Sequence, residues 1–298
     1  MFTNKRLNQA YKNAKIEYID DHSKYIIFSD SHRGDDSVSD EFARNQIIFL
    51  HALDYYYNQG YIYVEAGDGD ELWEYPNFKS IRLAHSDVFL TIKKFFDDER
   101  FRILYGNHNI YLKNKNYVRK NYFTYYDEYT QKTYPLFPGL TPYEAILFKY
   151  KRTGQEILTV HGHQGDFMND QFWFGAMILL RYFWRFAHVV GFQNPASPAK
   201  NLYKRHRIEK NYKVWIRKYK KILICGHTHR PKFPKERELP YFNTGCCIRS
   251  KGIVGIEIAD GKIALIDWRI KANKEGVMKI TKNYMRGPEP IEKYRFRS

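Results

Sequence analysis

The apolar positions of this chain gather into short runs, and each run stops at a glycine, an acid or a histidine. Five of them are Tyr25-Ile26-Ile27-Phe28, Tyr61-Ile62-Tyr63-Val64, Phe101-Arg102-Ile103-Leu104-Tyr105, Ile157-Leu158-Thr159-Val160 and Lys221-Ile222-Leu223-Ile224-Cys225. β-Branched and aromatic residues in runs this short, bounded by turn formers, predict buried strands. Further on, Gly252-Ile253-Val254-Gly255-Ile256-Glu257-Ile258 and Lys262-Ile263-Ala264-Leu265-Ile266-Asp267-Trp268 flank Asp260-Gly261. An Asp-Gly pair between two such runs predicts a β-hairpin. The stretch between the fourth and fifth runs, residues 167 to 220, is too long for a loop. It opens with an apolar segment from Phe172 to Val190, in which Arg181, Arg185 and His188 fall at i, i+4 and i+7 and so share one stripe of a helix. After Pro195 and Pro198 comes a basic segment holding Lys200, Lys204, Arg205, Arg207, Lys210, Lys213, Arg217, Lys218 and Lys220. With Tyr203, Tyr212, Trp215 and Tyr219 interleaved, it predicts a solvated basic helix.

The chemistry lies in the short motif at the end of each of the five runs. In order these are Asp30-Ser31-His32, Gly67-Asp68-Gly69-Asp70, Gly106-Asn107-His108-Asn109, His161-Gly162-His163 and Gly226-His227-Thr228-His229. Singly, Gly-Asp and Gly-Asn are ordinary turn pairs, and a lone histidine is an ordinary interior residue. Five in order at predicted strand ends are another matter, because open α/β sheets bind ligands beyond the carboxyl ends of their strands. Carboxylate, amide oxygen and imidazole together suit Mn²⁺, Fe²⁺, Co²⁺ or Zn²⁺, and there are enough donors for two ions. Two neighbouring ions clamp the attacking and leaving oxygens of a phosphoryl transfer.

Composition narrows the picture less. The 298 residues allow one large domain, and a hydrophobic fraction of 43% is ample for a core. The formal net charge is +16, from 49 Lys+Arg against 33 Asp+Glu. That field attracts phosphate esters, nucleic acid or an anionic membrane surface without choosing among them, and nucleotide bias in the genome is the bland alternative account of the Lys, Asn, Tyr and Ile excess. Cys225, Cys246 and Cys247 form no secreted disulfide framework. Met1 to Lys15 has no apolar core of a signal peptide, so a cytoplasmic location is the default expectation.

In their order and spacing the five motifs resemble those of the calcineurin-like metallophosphoesterase superfamily, over about residues 24 to 269. The resemblance implies a four-layer α-β-β-α sandwich in a single domain spanning 1–298, with its core over about 24–270. A helical insertion occupies about 167–220, between the fourth and fifth motifs, and a basic tail about 271–298. The hairpin strands are expected to complete the second sheet. By the same resemblance Asp30, His32 and His229 are ligands of a first metal, Asp68 bridges, and Asn107, His161 and His227 serve the second. His161 is preferred to His163 because the family's ligand directly precedes glycine; His163 stays as the alternative. His108 matches the catalytic histidine. The implied cofactors are two divalent ions, Mn²⁺ first, with Fe²⁺, Zn²⁺ or Co²⁺ as alternatives. The implied activity is phosphoester hydrolysis by in-line attack of a metal-bridging hydroxide. Asn109 stands where the family has an acid beside the catalytic histidine, so Asp70 or Glu71 is the candidate to take that role.

Three details resemble the UDP-2,3-diacylglucosamine hydrolase branch: Asp70-Glu71-Leu72-Trp73 after the bridging acid, Arg230-Pro231 after the last motif, and the apolar insertion. That branch implies a lipid-linked pyrophosphate. A protein Ser/Thr phosphatase, a phosphodiesterase, a nuclease and a metal-bound scaffold without turnover are the alternatives. The segment 172–192 is open to four readings: a lid, a membrane-interface helix at the inner face, a dimer interface or a core helix. Arg181, Arg185 and Arg230 are the candidate substrate contacts. The expected partner is a phosphorylated substrate, with lipid or membrane contact through 172–192 and nucleic acid less favoured.

Overall fold

The computed structural model describes residues 2–179, 181, 202–250 and 252–296. Its helices are α1 (Phe2–Lys12), α2 (Gln46–Asn58), α3 (Phe78–Ala84), α4 (Ser86–Asp97), α5 (Lys115–Tyr122), α6 (Trp173–Leu179) and α7 (Leu202–Tyr219). The strands begin with β1 (Lys15–Ile19), β2 (Tyr25–Phe28), β3 (Ile62–Ala66), β4 (Phe101–Leu104), β5 (Thr124–Asp127), β6 (Lys132–Pro135) and β7 (Ala145–Tyr150). They continue with β8 (Gln155–Val160), β9 (Ile222–Cys225), β10 (Tyr241–Asn243), β11 (Ile253–Ala259), β12 (Lys262–Ala272) and β13 (Met278–Pro290).

All five apolar runs are strands, and they divide between two sheets. One has the order β13-β12-β11-β2-β3-β4, the other β1-β7-β8-β9-β10. β2, β3 and β4 are parallel neighbours, as are β8, β9 and β10. The Asp260-Gly261 turn joins β11 to β12 with both residues at positive φ, the geometry of a two-residue hairpin turn. β11 then pairs with β2, so the hairpin extends the sheet of the first three motifs and not that of the last two.

Between the sheets, Ile27, Val64, Leu104, Ile256 and Leu265 of one face Ile146, Phe148, Ile157, Ile224 and Phe242 of the other. Outside the first sheet, α2 buries Ile48, Phe49, Ala52, Leu53 and Tyr56, and α4 buries Val88, Phe89, Ile92 and Phe95. These are the i, i+3, i+4, i+7 positions of amphipathic helices. Outside the second sheet, Leu7 and Ala10 of α1 join Ile208, Tyr212, Trp215 and Ile216 of α7. The result is the expected α-β-β-α layering.

Three expectations change. The basic segment is one-sided: Tyr212 and Trp215 are buried, while Arg207, Lys210, Arg217 and Lys218 face solvent. The tail after 271 is largely built in, since β12 and β13 pair from Lys262 to Met278, and Ile291 and Tyr294 sink between the sheets. The N-terminus also belongs to the sandwich, through α1 and through β1 alongside β7. Most of the segment 172–192, with Arg185 and His188, lies outside the described residues. Among those described, no helix is long and apolar enough to cross a membrane.

Candidate metal centre

The carboxyl ends of β2, β3 and β4 meet those of β8 and β9 along one edge of the sandwich, and the loops there are laced together by main chain. Asp30 N donates to Gly67 O at 3.0 Å, His32 N to Asp68 O at 2.9 Å, and Gly226 N to His161 O at 2.7 Å. Between sheets, His161 Nδ1 lies 3.1 Å from Ala66 O, and His227 N donates to Asp30 Oδ2 at 3.0 Å. Glycine is needed where loops press on the His161 and Asp68 side chains. A Cβ on Gly67, whose φ is +90°, would sit 2.5 Å from the His161 ring, and one on Gly106 would collide with Asp68 Oδ1.

Five non-glycine residues of these loops hold left-handed backbones: Asp30 (φ 53°), His32 (46°), Asp68 (51°), His227 (64°) and His229 (54°). Each costs roughly 1–3 kcal/mol, and such strain gathers where function requires it. The motifs turn their side chains inward through this conformation. Asp30, His32 and His229 form one donor group, and Asp68, His161 and His227 a second. Asn107 joins the second, its Oδ1 3.2 Å from His161 Nε2. The groups abut, with His161 Nε2 4.0 Å from Asp30 Oδ1 and 2.9 Å from Asp68 Oδ2.

These side chains fit a pair of cations. Donors about 2.1 Å from one ion stand about 3.0 Å apart at a right angle and about 3.4 Å apart at the tetrahedral angle. His229 Nε2 is 3.1 Å from Asp30 Oδ1 and 3.2 Å from His32 Nε2, values within that range. Two imidazole nitrogens at such a distance need a proton or a cation between them. Burial pushes the Asp30 carboxyl up, but His229 and His161 outweigh it and hold it at about 2. Burial likewise opposes charge on His161, yet Asp68 and Asp30 raise it. Buried Asp30 and Asp68 thus call for positive charge, which a metal meets by displacing protons.

His108 is placed by different contacts. Its Nδ1 is 2.7 Å from Glu71 Oε1, and the other Glu71 oxygen is 2.6 Å from His32 Nδ1. One carboxylate therefore fixes two imidazoles through Nδ1, with the Nε2 of each turned away from it. Burial pushes the His108 imidazolium down, but Glu71 and Asp68 raise it to about 9. Trp73 stacks on His108 with ring centroids 4.3 Å apart. Of the two acids expected to serve His108, Glu71 is the one that reaches it. Asp70 is engaged elsewhere: its Oδ1 accepts from Arg33 Nε at 2.8 Å and its Oδ2 from Tyr122 OH at 2.7 Å, while Glu65 takes both Arg33 Nη atoms. Asn109 faces away from His108, its Oδ1 accepting from Gly106 N at 2.6 Å and Asp68 N at 3.4 Å.

The remaining candidates stand apart from the two donor groups. His163 is buried behind His161, in neither group, and its Nδ1 has no partner. Arg181 is tied to the wall of the site: Nε donates to Trp73 O at 2.8 Å and Nη2 to Leu72 O at 3.1 Å. Arg185 lies outside the described residues, and Arg230 is exposed next to His229. Cys225 is buried in β9, and burial pushes its thiol well above its usual range. None of the five motifs contains Asp166, yet its Oδ2 is 3.3 Å from His227 Nε2. Its one signal in the sequence is an acid after Gly165, in the loop that follows the strand leading to His161.

No protein-family model matches the chain, and no curated protein matches it. Among solved structures it is similar to Vps29 of Chaetomium thermophilum at 7% identity, over 89% of this chain and 96% of that one, with a TM-score of 0.39. It is also similar to a Staphylococcus aureus structure described as a "Putative 5'-Nucleotidase" in complex with alpha-ketoglutarate. There the identity is 15%, over 87% of this chain and 52% of that one, with a TM-score of 0.35. Superpositions this loose carry no weight for the chemistry, which stands on the strand order and on the donor groups.

Proposed function

We propose that the chain is a hydrolase of phosphoesters that works with two divalent metal ions, Mn²⁺ first among the candidates. The observation that carries this reading is the convergence of Asp30, His32, His229 and Asp68, Asn107, His161, His227 into two abutting donor groups, with His108 beside them. When bound, the ions supply Lewis acidity, lowering the pKa of water and drawing charge off the phosphoryl oxygens. Asp68, whose Oδ2 lies 2.9 Å from His161 Nε2 and whose carboxylate also feels the charge of His32, is the bridging carboxylate of the reading. The Glu71–Trp73 pair orients His108, so that Nδ1 donates to Glu71 and Nε2 carries the proton toward the leaving-group oxygen. The charge of the imidazolium also favours the transition state, where negative charge builds on oxygen.

Hydrolysis of p-nitrophenyl phosphate and bis-p-nitrophenyl phosphate, each with Mn²⁺ and with EDTA, tests this reading. Turnover that requires Mn²⁺ is expected, and the preferred ester separates monoesterase from diesterase. Asp68→Ala should lose both ions in a metal count, and retention of two ions per chain would remove the bridging assignment.

A lipid-bearing phosphate or pyrophosphate ester, as in the UDP-2,3-diacylglucosamine hydrolases, is the second reading. It is favoured by the exposed apolar side chains Phe172, Phe174, Ile178 and Leu179 on and beside α6. That helix touches the Trp73 wall of the site through Met177 and Trp173. Activity on a lipid-linked ester in detergent, with none on the small esters, would favour it.

A further inference from the structure

The loop after β8 does more than present His161. Asp166 is buried in it, and its Oδ2 gathers three partners: His227 Nε2 at 3.3 Å, Lys204 Nζ at 3.2 Å and Asn169 Nδ2 at 2.6 Å. Asn169 Oδ1 in turn receives Asn107 Nδ2 at 3.5 Å. One hydrogen-bonded chain therefore runs from His227 through Asp166 and Asn169 to Asn107. Both of its ends belong to the second donor group, and neither belongs to the first. The first group has its own outer carboxylate in Glu71, which holds His32.

The chemistry of each end agrees with an outer role for this chain. A metal-ligating histidine gives its other ring N–H to a carboxylate or a carbonyl, which sets tautomer and ring orientation. His161 does so with Ala66 O, and His227 does so with Asp166. With Nε2–H on Asp166, Nδ1 of His227 keeps its lone pair for a cation. With its amide nitrogen on Asn169, Asn107 turns Oδ1 toward His161 Nε2, on the side of Asp68. Lys204 lies in the first turns of α7, the helix that closes the insertion and packs by Trp215 and Ile216 on the second sheet. Its ion pair ties the seat of that helix to the same carboxylate.

We propose that Asp166 is the positioning carboxylate of the second metal site, holding His227 directly and Asn107 through Asn169, with Lys204 linking helix α7 to it. The inference rests on the dinuclear reading above. Its test is a titration of the metal-free full chain with Mn²⁺, followed by calorimetry and by the electron paramagnetic resonance of unbound Mn²⁺. Wild-type protein is expected to take two ions. Asp166→Asn should weaken one of them by about 10- to 100-fold and leave the other unchanged, and Asp166→Glu should restore part of the loss. Thermal melting of the metal-free variants separates misfolding from misplacement. Should Asp166→Asn fail to fold, Asn169→Ala and Lys204→Met keep the question decidable, each expected to weaken the same single ion by less. Folded variants that hold both ions as wild type does, or that lose both equally, would overturn the proposal while leaving the dinuclear reading intact. A wild-type protein that holds no Mn²⁺ would remove the dinuclear reading, and this proposal with it.

Discussion

At the scale of the residue, the site is organised by Glu71, which gives one oxygen to His32 and the other to His108. On the proposed reading, replacing His108 by alanine removes only the group at the leaving oxygen. We expect both ions to stay and the rate to fall about 10²- to 10⁴-fold, as read by metal counting beside steady-state kinetics. Asn109→Asp has a different expectation from the one that motif comparison suggests. The asparagine Oδ1 accepts main-chain N–H groups of Gly106 and Asp68 and does not touch His108. An aspartate there would keep the acceptor, add negative charge beside Asp68 and bring nothing to the imidazole. No gain in kcat is expected, and a clear rise would show that Glu71 is not the acid that matters.

At the scale of the element, short strands aim the loops and helices hold the strands. α7 shows how a basic segment is anchored: its charged face is solvated, while Ile208, Tyr212, Trp215 and Ile216 sit against β8, β9 and β10. Trp215 is fully buried and also donates its indole N–H to Asn8 Oδ1 of α1 at 3.2 Å. Trp215→Ala should therefore cost about 3–5 kcal/mol in a denaturant titration of the metal-free protein. A loss under about 1 kcal/mol would mean that α7 is not part of the cooperative core. The meander β11-β12-β13 was half legible: the Asp260-Gly261 turn marks the β11–β12 hairpin, but polar β13 gives no apolar alternation and so reads as tail.

At the scale of the molecule, the net charge of +16 should speed the encounter with phosphate esters. Raising ionic strength should lower kcat/KM for p-nitrophenyl phosphate and spare kcat, because screening acts on encounter and not on bound substrate. An unchanged kcat/KM would place the surface charge too far from the site to matter. The strands β2, β3, β4, β8 and β9, the hairpin turn and the polar side chains that stand at the strand ends could all be read from the chain. Their signals are local: a short apolar run, a turn pair, and a carboxylate, amide or imidazole at its end. The partners of those side chains could not be read so. Glu71 against Asp70 for His108 depended on Arg33, which turns inward to take Asp70, and Asp166 reaches His227 only because β8 and β9 are neighbours. Periodicity and turn chemistry act over a few residues, so the sequence by itself determined which segments are strands and which side chains stand at their ends. Hydrogen bonds between loops far apart in the chain depend on how two sheets stack, and so tertiary structure alone decided which acid serves which histidine.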